Sequence, residues 1–135
     1  MEILKMTPGE IYDTKRKNFL ENALKHFAFL VSEFGYREPV YEFYKQENGV
    51  VIKDEFKYEN KAADRLIIVS NSYHPVDFGF EICVYKASRA ILYDKREIAY
   101  SQLKENQDTE QSYLAEAATI LKNNFTSQLK GEDWF

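Results

Sequence analysis

The segment that most constrains the fold is residues 38–60, EPVYEFYKQENGVVIKDEFKYEN, in which two alternating stretches flank Asn48-Gly49. Asn-Gly readily adopts the positive φ angles of a type I′ turn, so the segment predicts a β-hairpin with these two residues as its loop. In that register the facing pairs are Lys45 with Ile52, Phe43 with Asp54, and Tyr41 with Phe56.

Alternation divides this hairpin into two faces, because successive side chains of a strand point to opposite sides. The apolar face carries Tyr41, Phe43, Ile52, Phe56 and Tyr58, and the polar face carries Glu42, Tyr44, Lys53, Glu55 and Lys57. Such a division is typical of an antiparallel sheet with one face in water.

Asp54 is the one carboxylate that this register places on the apolar face. An ionised group there needs a partner or a raised pKa, so Asp54 is a candidate buried polar site. Three structural explanations compete with a functional one: a place near the sheet edge, a bulge that turns the side chain outward, or satisfaction by Lys45 or Tyr58.

Two further strands are predicted by residues 65–73, RLIIVSNSY, and by residues 80–88, FEICVYKAS, with the turn HPVDFG between them. Together with the hairpin they make a four-stranded antiparallel meander. Residues 89–107 carry no clear pattern, and we predict a short helix over residues 95–104.

Amphipathic helices are predicted at both ends of the chain. Thr7-Pro8-Gly9-Glu10 begins a helix over residues 8–34, with a break near residues 13–17 left open, and the basic run at 14–18 is interpreted as a solvated helix face. The second helix spans residues 109–130, with Asp108 and Gln111 as a capping box. We expect a single α+β domain over residues 1–135, with both helices packed on one face of the sheet and the opposite face open.

Reactive residue types cluster in residues 71–85, NSYHPVDFGFEICVY, which contain Ser72, His74, Asp77 and Cys83. Cys83 lies mid-strand between apolar residues, where a thiol behaves as a small apolar side chain, and His74 and Asp77 fit a turn. His26 has no His, Cys or Asp three or four residues away, as a metal pair on a helix requires. We therefore predict no catalytic residues, no cofactor and no metal site, and we favour a protein that is not an enzyme.

Charge and composition exclude several classes of partner. A net charge of −4, with no long basic run, argues against nucleic acid, and we expect the N-terminal residues to form neither a signal sequence nor a membrane span. One cysteine cannot form an internal disulfide, which is typical of a cytoplasmic protein. We therefore expect a cytoplasmic protein and, because no membrane span is predicted, no membrane partner.

Tyrosines and charged residues on the polar strand faces predict an interaction surface. Tyr buries a large contact area with little loss of entropy, which favours it at protein interfaces. The candidate partner surface comprises Glu42, Tyr44, Lys53, Glu55, Glu81 and Tyr85.

In its layout the chain resembles small bacterial α+β proteins of uncertain role that include immunity proteins of polymorphic toxin systems. The segments that carry the resemblance are FLVSEFGY at 29–36, VYEFYKQENGVVIKDEF at 40–56, RLIIVSNSY at 65–73 and LAEAATILKNNFTSQLKG at 114–131. The resemblance implies a protein that binds and blocks a toxin without doing chemistry.

Three hypotheses about function follow. The first is a non-enzymatic protein-binding domain, immunity-like, that uses the open sheet face. The second is a small-ligand-binding or enzymatic domain with a site between helices and sheet near Asp54. The third is a homo-oligomer that covers its open face with a second copy.

Overall fold

A computed structural model describes residues 7–74, 79–92 and 96–135 of the chain. Its sheet contains five antiparallel strands in the order β1-β2-β3-β4-β5, so the fold is α+β, as predicted, with one strand more than the four expected. The strands are β1 (Val40–Lys45), β2 (Val51–Asn60), β3 (Arg65–Ser72), β4 (Gly79–Tyr85) and β5 (Glu97–Leu103). The helices are α1 (Pro8–His26), α2 (Phe29–Ser32), α3 (Tyr113–Asn124) and α4 (Thr126–Leu129), with 3-10 turns at Ala87–Leu92 and Lys104–Asn106.

The predicted hairpin register is confirmed from Val40 to Tyr44, where Tyr41 faces Phe56 and Phe43 faces Asp54. It shifts by one residue between Tyr44 and Lys45, so that Lys45 faces Val51 and not Ile52. The connection is also longer than a two-residue turn, because the Gln46 N–H donates to the Val50 carbonyl at 2.9 Å. Asn48 does not adopt positive φ; its side-chain oxygen instead accepts from the Val50 N–H at 3.0 Å, which closes a local Asx turn.

The short helix predicted over residues 95–104 is wrong, because Glu97–Leu103 forms the fifth strand. It pairs with β4 from Val84↔Glu97 to Gly79↔Leu103, with a register shift between Ile82 and Cys83. The extra residue in β5 interrupts the two-residue alternation of the sequence, which is why the pattern there did not indicate a strand.

The N-terminal helix begins as predicted, with a complete capping box between Thr7 and Glu10. Its break falls at Phe27 and Ala28, beyond the 13–17 region that the sequence left open, and the short α2 follows. Near the C-terminus the helix begins at Tyr113 rather than 109, and Asp108 lies before it and accepts from the Ser112 N–H at 2.9 Å. The predicted Asp108–Gln111 capping box is wrong, because Gln111, with φ +59°, lies outside the helix and the N-cap residue is Ser112, which makes no side-chain cap hydrogen bond.

One core cluster joins the helices to the sheet. The Phe19 ring of α1 lies 6.1 Å from Phe56 and 6.2 Å from Phe80, and the Phe80 ring lies 5.2 Å from Tyr113 of α3. The strand side chains in this cluster define what we call the core face of the sheet: Phe56, Tyr58, Ile67, Val69, Phe80, Ile82 and Val84. Trp134 folds back against the same cluster. Among the described residues, no helix is both long and apolar enough to span a membrane.

Candidate functional site

The opposite side of the sheet, which we call the outer face, is built from the alternate residues of the same strands. Strand register places Glu42 opposite Glu55, Glu55 opposite Ser70, and Ser70 opposite Glu81, so one row of polar side chains crosses four strands. The neighbouring row carries Lys57, Ile68 and Cys83. The outer face therefore has carboxylates in one row and apolar residues at the centre of the next.

A cavity of about 350 Å³ lies on this outer face. It is lined by Tyr44, Lys53, Glu55, Lys57, Ile68, Ser70, Glu81, Cys83, Tyr85 and Arg96. Five of the six residues predicted as a partner surface thus line one cavity. The sixth, Glu42, borders it, because it accepts a hydrogen bond from Lys57 at 3.3 Å.

The charged residues on one side of the cavity are paired with one another. Lys53 Nζ lies 3.0 Å from a Glu55 oxygen, and Lys57 Nζ lies 3.3 Å from Glu42. The Tyr44 hydroxyl donates to Glu55 at 3.1 Å and lies 3.3 Å from a Glu42 oxygen. Partial burial, and then the two carboxylates, raise the pKa of Tyr44, so its phenol stays protonated and acts as a donor. These contacts offset the repulsion between the facing carboxylates Glu42 and Glu55.

The floor of the cavity is largely buried. Ile68, Cys83 and Tyr85 form a small apolar cluster on the outer face, separate from the main core. Burial, reinforced by Glu81, raises the pKa of the Cys83 thiol to about 11, so the thiol is protonated at neutral pH. Beside it the Ser70 side chain is 5% exposed and lines the cavity. In this environment Cys83 packs as a small apolar side chain, and its protonated thiol is a weak nucleophile.

Sequence reasoning missed three of the lining residues, Ile68, Ser70 and Arg96. It placed Lys57 on the polar face and Cys83 in a strand, but left both out of the partner surface. The alternation of β3 is hidden because RLIIVSNSY is apolar on both faces in its first half. Pairing with β2 places Ser70 beside Glu55, and that signal was available only once the register of β3 against β2 was known. Arg96 precedes β5, the strand that the sequence pattern did not predict.

Asp54 is fully buried on the core face, where the predicted register placed it. Arg16 of α1 donates to both its oxygens, from Nε at 3.0 Å and from Nη2 at 2.9 Å. The hydroxyls of Tyr41 and Tyr73 donate at 2.6 and 2.9 Å, one to each oxygen. The two carboxylate oxygens therefore have four donors, which fills their usual acceptor capacity.

These partners differ from the ones that the sequence suggested for Asp54. Neither Lys45 nor Tyr58 satisfies the carboxylate, and Arg16 belongs to the basic run interpreted as a solvated helix face. Its side chain is only 21% exposed. Burial and the hydrogen bond to Asp54 raise the pKa of Tyr41 to about 12, and the same causes raise that of Tyr73. The cluster therefore combines the salt bridge between Arg16 and Asp54 with two neutral phenols, an arrangement suited to joining α1 to β2.

A second buried polar group lies next to Asp54 across the strands. Asn71, which pairs with Asp54 in register, donates from Nδ2 to the side-chain oxygens of Gln107 and Gln111, each at 3.1 Å. The Tyr113 hydroxyl donates to the same Gln111 oxygen at 2.6 Å. This network fixes the start of α3 on β3. A polar Asn within an apolar strand was the only signal for it in the sequence.

Among the described residues, His26 and His74 lie outside both the cavity and the Asp54 cluster. His74 accepts a hydrogen bond at its carbonyl from Lys104 Nζ at 3.0 Å. Asp77, with most of the predicted turn, lies outside the described residues. His26 is half-buried at the end of α1, and burial lowers its pKa. Within residues 7–74, 79–92 and 96–135, no cluster of three or more His, Cys, Asp or Glu is arranged to hold a metal ion.

The chain was compared with protein-family models, with curated proteins and with solved structures, and none of them gives a significant match.

Proposed function

We propose that the protein is a non-enzymatic binding domain that receives a partner protein on the outer face of its sheet. The observation that carries this proposal is the cavity on that face, which brings together Tyr44, Lys53, Glu55, Glu81 and Tyr85. Tyrosines around a partly desolvated centre, bordered by charged groups, are the composition of a protein contact surface.

The proposal takes the two long helices to pack on the core face, so that the outer face is left for a partner. Supporting this, the buried side chains of α1 and α3 share one cluster with the core-face residues. The apolar group of Ile68, Cys83 and Tyr85 is separate from that cluster. Its position at the centre of the outer face suits it to receive an apolar side chain of the partner.

The charges of the cavity define the chemistry of that partner. Cations and carboxylates are interspersed, with Lys53 against Glu55 and Lys57 against Glu42. Glu81 and Arg96, of opposite charge, line the same cavity. A mixed pattern of this kind selects a partner by matching individual charges rather than by long-range attraction. We infer a protein partner that presents charges of both signs around an apolar side chain.

A toxin neutralised in the cytoplasm is the partner that the layout resemblance suggests. The net charge of −4 is compatible with a toxin whose contact surface carries charges of both signs with cations in excess. In this form of the proposal the protein blocks its partner by occupying a surface, and the protonated thiol of Cys83 takes no part in chemistry.

The test is retention of protein from a lysate of the source cells on immobilised wild-type protein and on two charge-reversal variants. Glu81→Arg changes a cavity residue, and Glu21→Arg changes an exposed residue of α1 as the matched control. We expect a protein that wild type and Glu21→Arg retain and that Glu81→Arg loses, with all three showing the same melting behaviour. Equal retention by both variants would refute the outer face as the docking surface.

A small polar ligand in the same cavity is the second candidate, favoured by the nearly buried Ser70 that lines it. A volume of about 350 Å³ lies at the lower end of the range found for small-ligand sites. Thermal stabilisation by single amino acids or dicarboxylates, abolished by Ser70→Trp, would support it over a protein partner. The second hypothesis from the sequence located such a site near Asp54. Arg16, Tyr41 and Tyr73 already occupy the four acceptor positions of that carboxylate, so it has none left for a ligand.

A further inference from the structure

Strand β1 is one edge of the sheet and carries an unusual amount of exposed apolar surface. Of its six residues, Val40 is 57% exposed, Phe43 48%, Tyr44 40% and Tyr41 39%. Such an edge also presents unpaired backbone N–H and C=O groups on the side away from β2. An edge with both properties pairs readily with another strand.

The other edge, β5, differs in two ways. An extra residue opposite Ile82 and Cys83 breaks its regularity at mid-strand, and bulges of this kind protect edges from pairing. Its exposed apolar side chains, Ile98 and Leu103, lie at opposite ends of the strand. In β1 the only irregularity comes at its end, between Tyr44 and Lys45, and the stretch from Val40 to Tyr44 pairs regularly.

We propose that β1 pairs antiparallel with β1 of a second copy of the chain, and that this forms a homodimer with a continuous ten-stranded sheet. A two-fold axis perpendicular to the sheet keeps the core faces of both copies on one side. In this arrangement the side chains of two facing residues lie on the same face of the sheet. The two-fold axis must therefore pass beside a residue that faces its own copy, and not between two consecutive residues. The candidate centres with the longest overlap within β1 are Glu42 and Phe43.

The side chains decide between these two centres. An axis at Glu42 sets two carboxylates directly against each other, which is unfavourable between neighbouring strands. An axis at Phe43 sets the two Phe43 rings against each other and Glu42 against Tyr44 of the other copy. Within one chain the Tyr44 hydroxyl already lies 3.3 Å from Glu42, so this pairing uses a compatible donor and acceptor. The structure therefore favours the Phe43-centred register.

This dimer leaves the outer-face cavity of each copy open, because pairing is edge to edge. It is independent of the proposed function and differs from an oligomer that covers the outer face. Two cavities would lie on the same side of one continuous sheet, so that a dimer offers a partner two equivalent sites.

The first test compares two substitutions at the two edges by sedimentation over a wide range of protein concentrations. Phe43 and Ile98 are matched in exposure, at 48% and 47%. Wild type and Ile98→Lys are expected to reach twice the 15.9 kDa chain mass, whereas Phe43→Lys, which opposes two cations across the axis, stays monomeric. A wild type that remains monomeric throughout, or a dimer that Phe43→Lys leaves intact, overturns the proposal.

The second test determines the register of the two β1 strands by disulfide formation. Facing residues of antiparallel strands have Cα atoms about 4.5–5.5 Å apart, within reach of a disulfide, so Phe43→Cys should give an oxidised dimer. Val40→Cys should not, because the two Val40 positions would be about 20 Å apart, six residues out of register. The native Cys83 is buried and serves as the background.

A mixture of two cysteine variants, both of which keep Phe43, tests the same register. Glu42→Cys and Tyr44→Cys should cross-link with each other, and neither should cross-link with itself. Self-cross-linking of Glu42→Cys would show the Glu42-centred register and refute the one proposed.

Discussion

Arg16 of α1 and Asp54 of β2 form a bidentate ion pair across 38 residues of sequence, with nitrogen–oxygen distances of 3.0 and 2.9 Å. The carboxylate is fully buried, and Tyr41 and Tyr73 donate to its remaining acceptor positions. This pair fixes the N-terminal helix on the sheet near the β1 edge.

Asp54→Asn should therefore lower the free energy of unfolding by about 3 kcal/mol, because it leaves the guanidinium of Arg16 without its counter-charge. Arg16 keeps some solvent access, which places the loss at the lower end for a broken buried pair. Urea unfolding measures it. Glu59→Gln breaks the exposed pair between Arg37 and Glu59 and should cost under about 1 kcal/mol. Equal losses for the two variants would contradict a structural role for the buried pair.

The contacts of Arg65 with the C-terminal residues, including the single tryptophan, allow a second test of the tertiary structure. The buried guanidinium donates to the carbonyls of Gln128 at 2.8 Å and Asp133 at 2.6 Å, and its centre lies 4.9 Å from the Trp134 ring. Arg65→Met should cost about 2–3 kcal/mol, since two backbone carbonyls lose a charged donor, and should shift Trp134 fluorescence toward that of exposed indole. Lys86→Met removes only the other cation over the ring and should cost about 1 kcal/mol or less. An unchanged emission spectrum in Arg65→Met would argue against the docked tail.

Substitutions at two glycines distinguish the free-energy cost of a positive φ angle from the cost of a steric clash. Gly49 has φ +86°, and a Cβ added there would meet open space. Gly131 has φ +78°, and a Cβ added there would clash with the Ala63 carbonyl oxygen. Gly49→Ala should cost about 1 kcal/mol from φ alone, and Gly131→Ala about 2 kcal/mol or more. Thermal unfolding of both variants checks the order, and a larger loss at Gly49 would be inconsistent with the close approach of residues 63 and 131.

Stability should fall on the alkaline side. The pKa of the Cys83 thiol rises from 9.0 to about 11 in the folded protein, and burial also raises the pKa values of Tyr58, Tyr73 and Tyr113. The folded protein then keeps protons that the unfolded chain releases, so stability is full below pH 9 and is lost as pH rises toward 11. Cys83 alone should contribute about 2 kcal/mol to this loss.

Urea unfolding at several pH values measures that decline. Cys83→Ala is the matched variant, and its stability should fall less steeply above pH 9. Both proteins lose stability through the tyrosines, which ionise near pH 10 in the unfolded chain, so the difference between the two curves isolates the thiol. Parallel curves for wild type and Cys83→Ala would show that the thiol is not buried as described.

The sequence by itself determined the local elements and the two faces of the sheet. Alternation along β1 and β2 placed Asp54 on the core face and Tyr44, Lys53 and Glu55 together on the other, because strand side chains alternate whatever lies around them. The capping box at Thr7 and Glu10 likewise fixed the start of α1, since it depends on contacts three residues apart.

Tertiary structure decided the features that depend on distant residues. Arg16 was indistinguishable from its basic neighbours until α1 was placed over Asp54, and β5 became a strand through pairing with β4 despite its bulge. The cavity required the register of four strands at once, which brought Ser70 and Glu81 beside Glu55. Local patterns cannot encode such pairings, because the free energy that selects them comes from contacts between segments far apart in the chain.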